Sequence, residues 1–155
     1  MLNPLVMTEP RSTTDQDLAP VRDGASIAVF KDRKVLLVKR AHPPFAGLWS
    51  LPGGKTEGQE APREAARREL KEETGIEADV EGVVDLIKIP SDEQDDCGTT
   101  YRLTVFYGRP TGGSLEAGGD AVAAEWVHLD DVEALPLTEG TADLIWVAAH
   151  KVRMP

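Results

Sequence analysis

One segment of the chain, residues 52–76, limits the possible folds more than any other. Pro52-Gly53-Gly54 predicts a tight bend. The residues from Glu60 to Thr74 are mostly Ala, Leu, Glu, Lys and Arg, which are good helix formers. Pro62 falls in the first turn, where its missing N–H costs little, and Gly75 is placed to end the helix. The sequence therefore predicts a loop followed directly by a well-defined helix.

Three glutamates lie on one face of this predicted helix. Glu69, Glu72 and Glu73 are spaced i, i+3 and i+4, so their carboxylates are neighbours and repel one another. One explanation is a solvated charged face whose arginines and lysines form ion pairs. The other is a site for a hard cation, since Mg²⁺ and Mn²⁺ prefer carboxylate oxygens and usually also bind substrate phosphates. The preceding bend favours the second, because it can bring backbone carbonyls close to the helix.

The rest of the chain predicts strands on both sides of the helix and a second helix at the end. Strands are predicted at 25–30, 34–40, 48–51, 77–89, 100–108 and 121–129, and an amphipathic helix at 137–152. This order favours an α+β fold of the α/β/α sandwich type with a mixed sheet. The length of 155 residues fits one domain at 23–155, preceded by a tail at 1–22 whose composition favours disorder.

The charge of the chain restricts its partners. The formal net charge of −10 argues against coating nucleic acid, and it would repel a phosphate substrate. No apolar run approaches the ~18 residues that a membrane span needs, and the N-terminus lacks a basic-then-apolar signal pattern. We therefore expect a cytoplasmic protein, monomeric or homodimeric, that binds neither nucleic acid nor membrane.

The loop–helix segment resembles the signature of the Nudix hydrolases. That signature is Gly, five residues, Glu, seven residues, then Arg-Glu-aliphatic-x-Glu-Glu-x-Gly-aliphatic. Gly54 and Glu60 occupy the first two positions, and residues 68–76 read Arg-Glu-Leu-Lys-Glu-Glu-Thr-Gly-Ile. Every specified position is matched over 23 residues. The chain is therefore identified as a member of this family, with the Nudix-type α/β/α sandwich as its expected fold.

The resemblance implies roles for the acidic residues. Glu72 and Glu73 match the metal-binding carboxylates of the family. Glu69 matches the carboxylate that binds metal, acts as the base, or does both. Gly53 matches a position whose backbone carbonyl often ligates the cation. We expect Glu69, Glu72 and Glu73 to be the catalytic residues.

Other residues of the signature are expected to support this arrangement. Gly54 belongs to the bend, and Glu60 and Arg68 match residues that usually brace the loop against the helix through an ion pair. Leu70 and Ile76 are expected in the core. None of these five residues is expected to touch the cation.

A bound cation also answers the problem of charge. Divalent cations can neutralise a diphosphate, orient the attacking water and lower its pKa. The glutamates would attract the metal, and the metal would attract the phosphates. The resemblance therefore implies Mg²⁺ as the cofactor, with Mn²⁺ as an alternative, and a small nucleotide or nucleoside diphosphate derivative as the partner.

A further acidic ligand is expected downstream. Some family members place one in the loop before a late strand that contains tryptophan. Asp120 lies six residues before Trp126 and is favoured as this metal ligand. Glu116 and Glu125 are its rivals.

Four residues near the bend are candidates for substrate binding. Arg40 and Lys55 could stabilise phosphate charge. Phe45 and Trp49 could stack on a base. Each also has an ordinary interpretation, as a surface residue for the two cations and as a core residue for the two aromatics.

The choice of substrate is expected to depend on loops outside the signature. The chain lacks the array that marks NADH pyrophosphatases, and it has Asp92 and Glu93 where dinucleoside polyphosphate hydrolases have a tyrosine. Pro90, 14 residues after Ile76, is near a position where ADP-ribose hydrolases tend to have proline. The resemblance thus favours cleavage of a nucleoside diphosphate linked to another moiety, ADP-ribose-like. The alternative is a nucleoside triphosphate pyrophosphohydrolase of the MutT type.

Two other classes of function fit the sequence less well. Nucleotide-sensing Nudix domains without catalysis often lose the signature glutamates, whereas this chain keeps them. A related group of isoprenoid diphosphate isomerases uses a catalytic cysteine. The single cysteine here, Cys97, is not in a comparable setting.

Overall fold

The computed structural model describes residues 21–43, 45–90 and 100–152. The elements follow in the order β1 (Val21–Lys31), β2 (Lys34–Arg40), β3 (Trp49–Ser50), β4 (Gly53–Lys55), α1 (Pro62–Thr74), β5 (Ile76–Pro90), β6 (Thr100–Gly113), β7 (Ala121–His128), a 3-10 helix (Leu129–Ala134) and α2 (Thr141–Val152). Cys97, the acidic loop at 91–98 and most of the predicted tail at 1–22 lie outside the described residues.

The strands form one mixed sheet. Its order is β3-β2-β1-β6-β5, with β4 paired to β1 and β7 paired to β2. The pair β1–β6 is parallel and the other pairs are antiparallel. The turn between β1 and β2 has positive φ at Asp32 and Arg33, as a tight two-residue hairpin requires. This hairpin confirms the prediction for 25–40, but β1 begins at Val21, inside the predicted tail, because its first residues pair with β6.

Alternation along β1 places two apolar cores on opposite faces of the sheet. Ile27 and Val29 pack with residues of α1, whereas Ala28 and Phe30 pack with residues of α2. One helix therefore covers each face, which confirms the α/β/α sandwich. In the described part of the chain, no helix has the length and apolar character to cross a membrane.

Helix α1 ends as the sequence predicts. Gly75 has φ 75°, and its N–H donates to the carbonyl of Lys71 at 2.9 Å. Leu70 and Ile76 are buried in the core beneath the helix, as expected.

Several boundaries differ from the prediction. Gly53–Lys55 is a short strand rather than a bend alone, because Gly53 has no Cβ and can approach the backbone of β1. Helix α2 begins at Thr141 rather than at 137, since the preceding backbone is used elsewhere: the N–H of Thr138 donates to the carbonyl of Trp49 at 2.9 Å. Strand β6 continues to Gly113, five residues beyond its predicted end at 108, because it stays paired with β5.

Candidate active site

Glu73 is a buried carboxylate at the inner face of α1. Its residue is 6% exposed, and its Oε1 accepts a hydrogen bond from the backbone N–H of Gly53 at 3.1 Å. Burial raises the pKa of Glu73 to about 8; the Gly53 N–H and Arg40 oppose the shift, and the charges of Glu69 and Asp120 add to it. The negative form is therefore costly here unless a positive charge joins it.

Arg68 ties the helix to the bend. Its guanidinium forms a two-pronged ion pair with Glu60, at 2.8 and 3.0 Å, and donates to the carbonyl of Lys55 at 3.0 Å. Its Nη1 also contacts Glu69 at 3.2 Å and Glu72 at 3.3 Å. The hydrogen bond from Arg68 lowers the pKa of Glu60. Arg68 thus holds Glu60 and β4 in place and is a counter-ion for the two glutamates beside it.

Glu69 lies against the bend. Its side chain is 17% exposed. The pKa of Glu69 is raised, chiefly by burial, and the charges of Glu72 and Asp120 add to the shift, whereas Arg68 opposes it. A Cβ on Gly54 would overlap the carboxylate of Glu69, and a Cβ on Gly53 would overlap the backbone of β1. Gly53 is therefore required for space against the backbone of β1, whereas a Cβ on Gly54 would displace the Glu69 carboxylate from its present position.

The donor set fits a hard divalent cation in its chemistry. Glu69, Glu72 and Glu73 offer carboxylate oxygens, and the raised pKa of Glu73 marks a position where a cation would offset the cost of burial. Across residues 21–43, 45–90 and 100–152, no three His, Cys, Asp or Glu side chains meet as a ready metal cluster. The carboxylate of Glu72 contacts Arg68 and is 53% exposed. The Glu72 side chain is therefore held by Arg68 alone among the contacts of its carboxylate in the described residues.

The structure separates the three candidates for the downstream acid. Asp120 ends the loop before β7, and its charge contributes to the raised pKa of both Glu69 and Glu73. Its side chain is 80% exposed and lies 3.6 Å from His42. Glu116 and Glu125 are exposed, and neither is among the leading causes of these two pKa shifts.

A contact that the sequence analysis missed joins the loop 114–120 to the end of α1. The N–H of Glu116 donates to the carbonyl of Thr74 at 2.8 Å, and the N–H of Gly118 donates to the carbonyl of Glu73 at 3.1 Å. The only signal in the sequence is the pair Gly118-Gly119.

A cleft of about 940 Å³ adjoins the bend. Gly53 and Gly54 line it, together with three of the four residues predicted for substrate binding: Arg40, Phe45 and Lys55. Trp49, the fourth, is instead buried in the core on the α2 side of the sheet. The volume falls within the usual range for ligand pockets, roughly 300–1,000 Å³.

Cations and aromatic rings are paired along this cleft. The guanidinium of Arg40 lies 5.9 Å from the ring centre of Phe45, and Lys55 Nζ lies 5.4 Å from that of Tyr101. Arg40 Nε is buried and has no hydrogen-bond partner among the described residues. The cleft therefore offers positive charge and ring faces next to the glycines.

The floor of the cleft crosses the sheet. Lys55 pairs with Gly24, Gly24 with Leu103, and Leu103 with Ile87. Three strand spacings make this row about 14 Å long. Charged residues of both signs also line the cleft: Asp85, Lys88, Glu139 and Asp143. The cleft is long enough for a ligand with several linked groups.

Comparisons with known proteins agree with the family resemblance and with the fold. The NUDIX domain family matches residues 20–146. An ADP-ribose pyrophosphatase of Methanocaldococcus jannaschii is 40% identical over 107 residues, which are 69% of this chain and 62% of that protein. The chain thus spans less than two thirds of that relative's length.

Two further similarities extend over more of the partner proteins. A CTP pyrophosphohydrolase of Escherichia coli is 34% identical over 118 residues, covering 76% of this chain and 83% of that protein. The crystal structure of a MutT NUDIX hydrolase from Burkholderia pseudomallei superposes with a TM-score of 0.69 at 29% identity, covering 81% of this chain and 96% of that one.

Proposed function

The chain belongs to the NUDIX domain family, and we propose that it is a Mg²⁺-dependent hydrolase of a nucleoside diphosphate linked to a second moiety, with ADP-ribose as the favoured substrate type. One observation carries the proposal. Gly53 and Gly54 line the cleft and also contact the carboxylates of Glu73 and Glu69. A diphosphate held at these glycines would therefore lie next to the proposed metal ligands.

The residues of the chain have distinct tasks in this proposal. Glu69, Glu72 and Glu73, with the carbonyl of Gly53, hold the cation, and Asp120 is a further ligand from the opposite loop. The cation supplies charge neutralisation and a more acidic water when bound. Asp120 belongs here because its charge is felt by both Glu69 and Glu73.

Glu69 is the favoured proton acceptor. Its pKa is raised chiefly by burial, which makes the carboxylate a better base than an exposed one. Water adds to one phosphorus, its proton passes to the carboxylate, and the bridging P–O bond breaks. With ADP-ribose the products are AMP and ribose 5-phosphate.

The shape and charge of the cleft support a substrate with two end groups. Arg40 and Lys55 lie beside the glycines, where phosphate oxygens would be held. The rings of Phe45 and Tyr101 offer faces for a base. The 40% identity to a protein named ADP-ribose pyrophosphatase supports the same choice.

A nucleoside triphosphate is the second candidate. It is favoured by the similarity to the CTP pyrophosphohydrolase, which extends over 83% of that protein. The two candidates differ in their products, since a triphosphate cleaved in this way gives a nucleoside monophosphate and pyrophosphate.

A substrate panel with identified products tests the proposal. The purified protein is incubated with ADP-ribose, sugar nucleotides, nucleoside triphosphates and dinucleoside polyphosphates, with Mg²⁺ and with EDTA. We expect the highest kcat/KM for ADP-ribose or a related compound, and no turnover in EDTA. A preference for triphosphates would replace the favoured substrate by the second candidate. Nucleotide binding without turnover of any compound would indicate a sensor instead.

A further inference from the structure

We infer that the loop of residues 114–120, called here the Gly118 loop, positions Glu72 and Glu73 for cation binding through the backbone of Gly118. The inference rests on the proposed function, because it concerns the same carboxylates. Gly118 is therefore a positioning residue, and it touches neither the cation nor the substrate.

The first support is the hydrogen bonding at the end of α1. The last carbonyls of a helix have no partner within the helix. Here the Gly118 loop supplies two donors. The N–H of Glu116 donates to the carbonyl of Thr74 at 2.8 Å, and the N–H of Gly118 donates to the carbonyl of Glu73 at 3.1 Å. The peptide group that follows Glu73 is thus fixed from outside the helix.

The second support is a close approach that only glycine allows. A Cβ on Gly118 would lie 2.6 Å from the backbone carbonyl oxygen of Glu72. The φ of Gly118 is not among the positive values in the described chain, so the residue is required for space rather than for its dihedral angle. A Cβ on Gly75 would overlap the carbonyl of Ser114, so the start of the Gly118 loop also packs tightly on the helix end.

The third support is the anchoring of the other end of the loop. The carbonyl of Asp120 accepts from the N–H of Ala41 at 3.0 Å, and the N–H of Ala121 donates to Gly118 at 3.0 Å. Ala41 directly follows Arg40, which lines the cleft. The Gly118 loop therefore connects the last turn of α1 to the residues that face the substrate.

Gly118→Ala tests the inference, with Gly112→Ala as the matched control. A Cβ on Gly112 meets nothing within 4 Å, so that variant adds the same methyl group in open space. Each metal-free protein is titrated with Mn²⁺ alone by calorimetry. We expect Gly118→Ala to weaken Mn²⁺ binding by about tenfold or more, as changes around metal ligands commonly do. Gly112→Ala should bind as the wild type does.

Activity gives a second readout that a general loss of structure would not reproduce. In Gly118→Ala the half-saturating Mg²⁺ concentration should rise by the same factor as the Mn²⁺ dissociation constant. Saturating Mg²⁺ should then restore turnover, with the substrate KM unchanged. Wild-type Mn²⁺ affinity in a folded Gly118→Ala variant would overturn the inference. If wild type and Glu73→Gln bind Mn²⁺ equally, the proposed metal site itself is wrong.

Hydrogen exchange of the wild type covers the case in which Gly118→Ala does not fold. Mg²⁺ should slow exchange of the amides of Glu116 and Gly118, because a fixed helix end opens less often. The amide of Leu103, in the central sheet, provides the reference. Equal effects of Mg²⁺ on the loop and sheet amides would contradict the inference.

Discussion

The backbone N–H of Gly53 donates a hydrogen bond of 3.1 Å to the buried carboxylate of Glu73. This contact joins two residues that are 20 positions apart in the chain. It closes the glycine bend, which lines the cleft, onto the last turn of α1. It also leaves a carboxylate in a setting that opposes its charge, with a pKa of about 8.

The first prediction concerns stability and pH without metal. The pKa of Glu73 is about 8 in the folded protein and 4.5 when unperturbed, so the folded state holds a proton that the unfolded state has lost. The contribution of the Glu73 proton to the free energy of unfolding is therefore fully present below the unperturbed pKa and is lost as pH rises through about 8. Glu73→Gln removes this loss and keeps an acceptor for the Gly53 N–H.

Urea unfolding in EDTA at low and high pH measures this effect. Between about pH 5 and pH 9, the free energy of unfolding of the wild type should fall by roughly 1–3 kcal/mol relative to Glu73→Gln. A difference that does not change with pH would show that Glu73 is not buried in this way.

The second prediction concerns metal affinity and pH. A cation that binds Glu73 displaces its proton. The affinity for Mn²⁺ should therefore rise by up to about tenfold per pH unit as pH increases towards the pKa, and it should be constant above the pKa. Calorimetric titration of the wild type with Mn²⁺ across about pH 6 to 9 gives the slope. If the slope of the Mn²⁺ affinity against pH does not change near pH 8, the cation does not bind at Glu73.

The third prediction concerns Arg68. Lysine keeps the charge but cannot form the two-pronged pair with Glu60 while also reaching Lys55. Arg68→Lys should raise the half-saturating Mg²⁺ concentration about tenfold. Arg67→Lys, on the exposed side of α1, should have no effect. The two variants are compared by measuring turnover against Mg²⁺ concentration. Equal curves for Arg68→Lys and Arg67→Lys would show that Arg68 does not support the site.

The fourth prediction concerns the cleft. Phe45 is 47% exposed and faces the guanidinium of Arg40. Phe45→Ala should raise KM for the substrate by about fivefold or more, since stacking on a base contributes about 1–3 kcal/mol. Val122→Ala, which shortens an exposed apolar residue on β7, is the control. An unchanged KM in Phe45→Ala would place the base elsewhere.

The parts that were predictable are those determined by local sequence. The helix, predicted from Glu60 and observed from Pro62 to Thr74, follows from composition, and its end follows from Gly75. Burial of Leu70 and Ile76 follows from the resemblance. The hairpin follows from two apolar runs around a polar turn.

The parts that were missed depend on contacts between distant segments. Gly53–Lys55 is a strand because β1 lies beside it, and no local pattern indicates that. Trp49 is buried because β3 packs into the core on the same face of the sheet as α2. Its position in the sequence, close to the bend, suggested instead that it would bind substrate. The role of Gly118 depends on a carbonyl 46 residues earlier, at Glu72, so a single sequence shows only a flexible-looking glycine pair.

The most direct test of the central claim is the Mg²⁺ dependence of hydrolysis in Glu73→Gln, with Glu64→Gln as the control. Glu64 lies on the same helix, nine residues earlier, and is exposed on its opposite side. With ADP-ribose, or the best substrate of the panel, we expect Glu73→Gln to lose about 100-fold or more in kcat/KM at limiting Mg²⁺. It should stay folded, and Glu64→Gln should match the wild type. Wild-type turnover by Glu73→Gln at limiting Mg²⁺ would contradict the account.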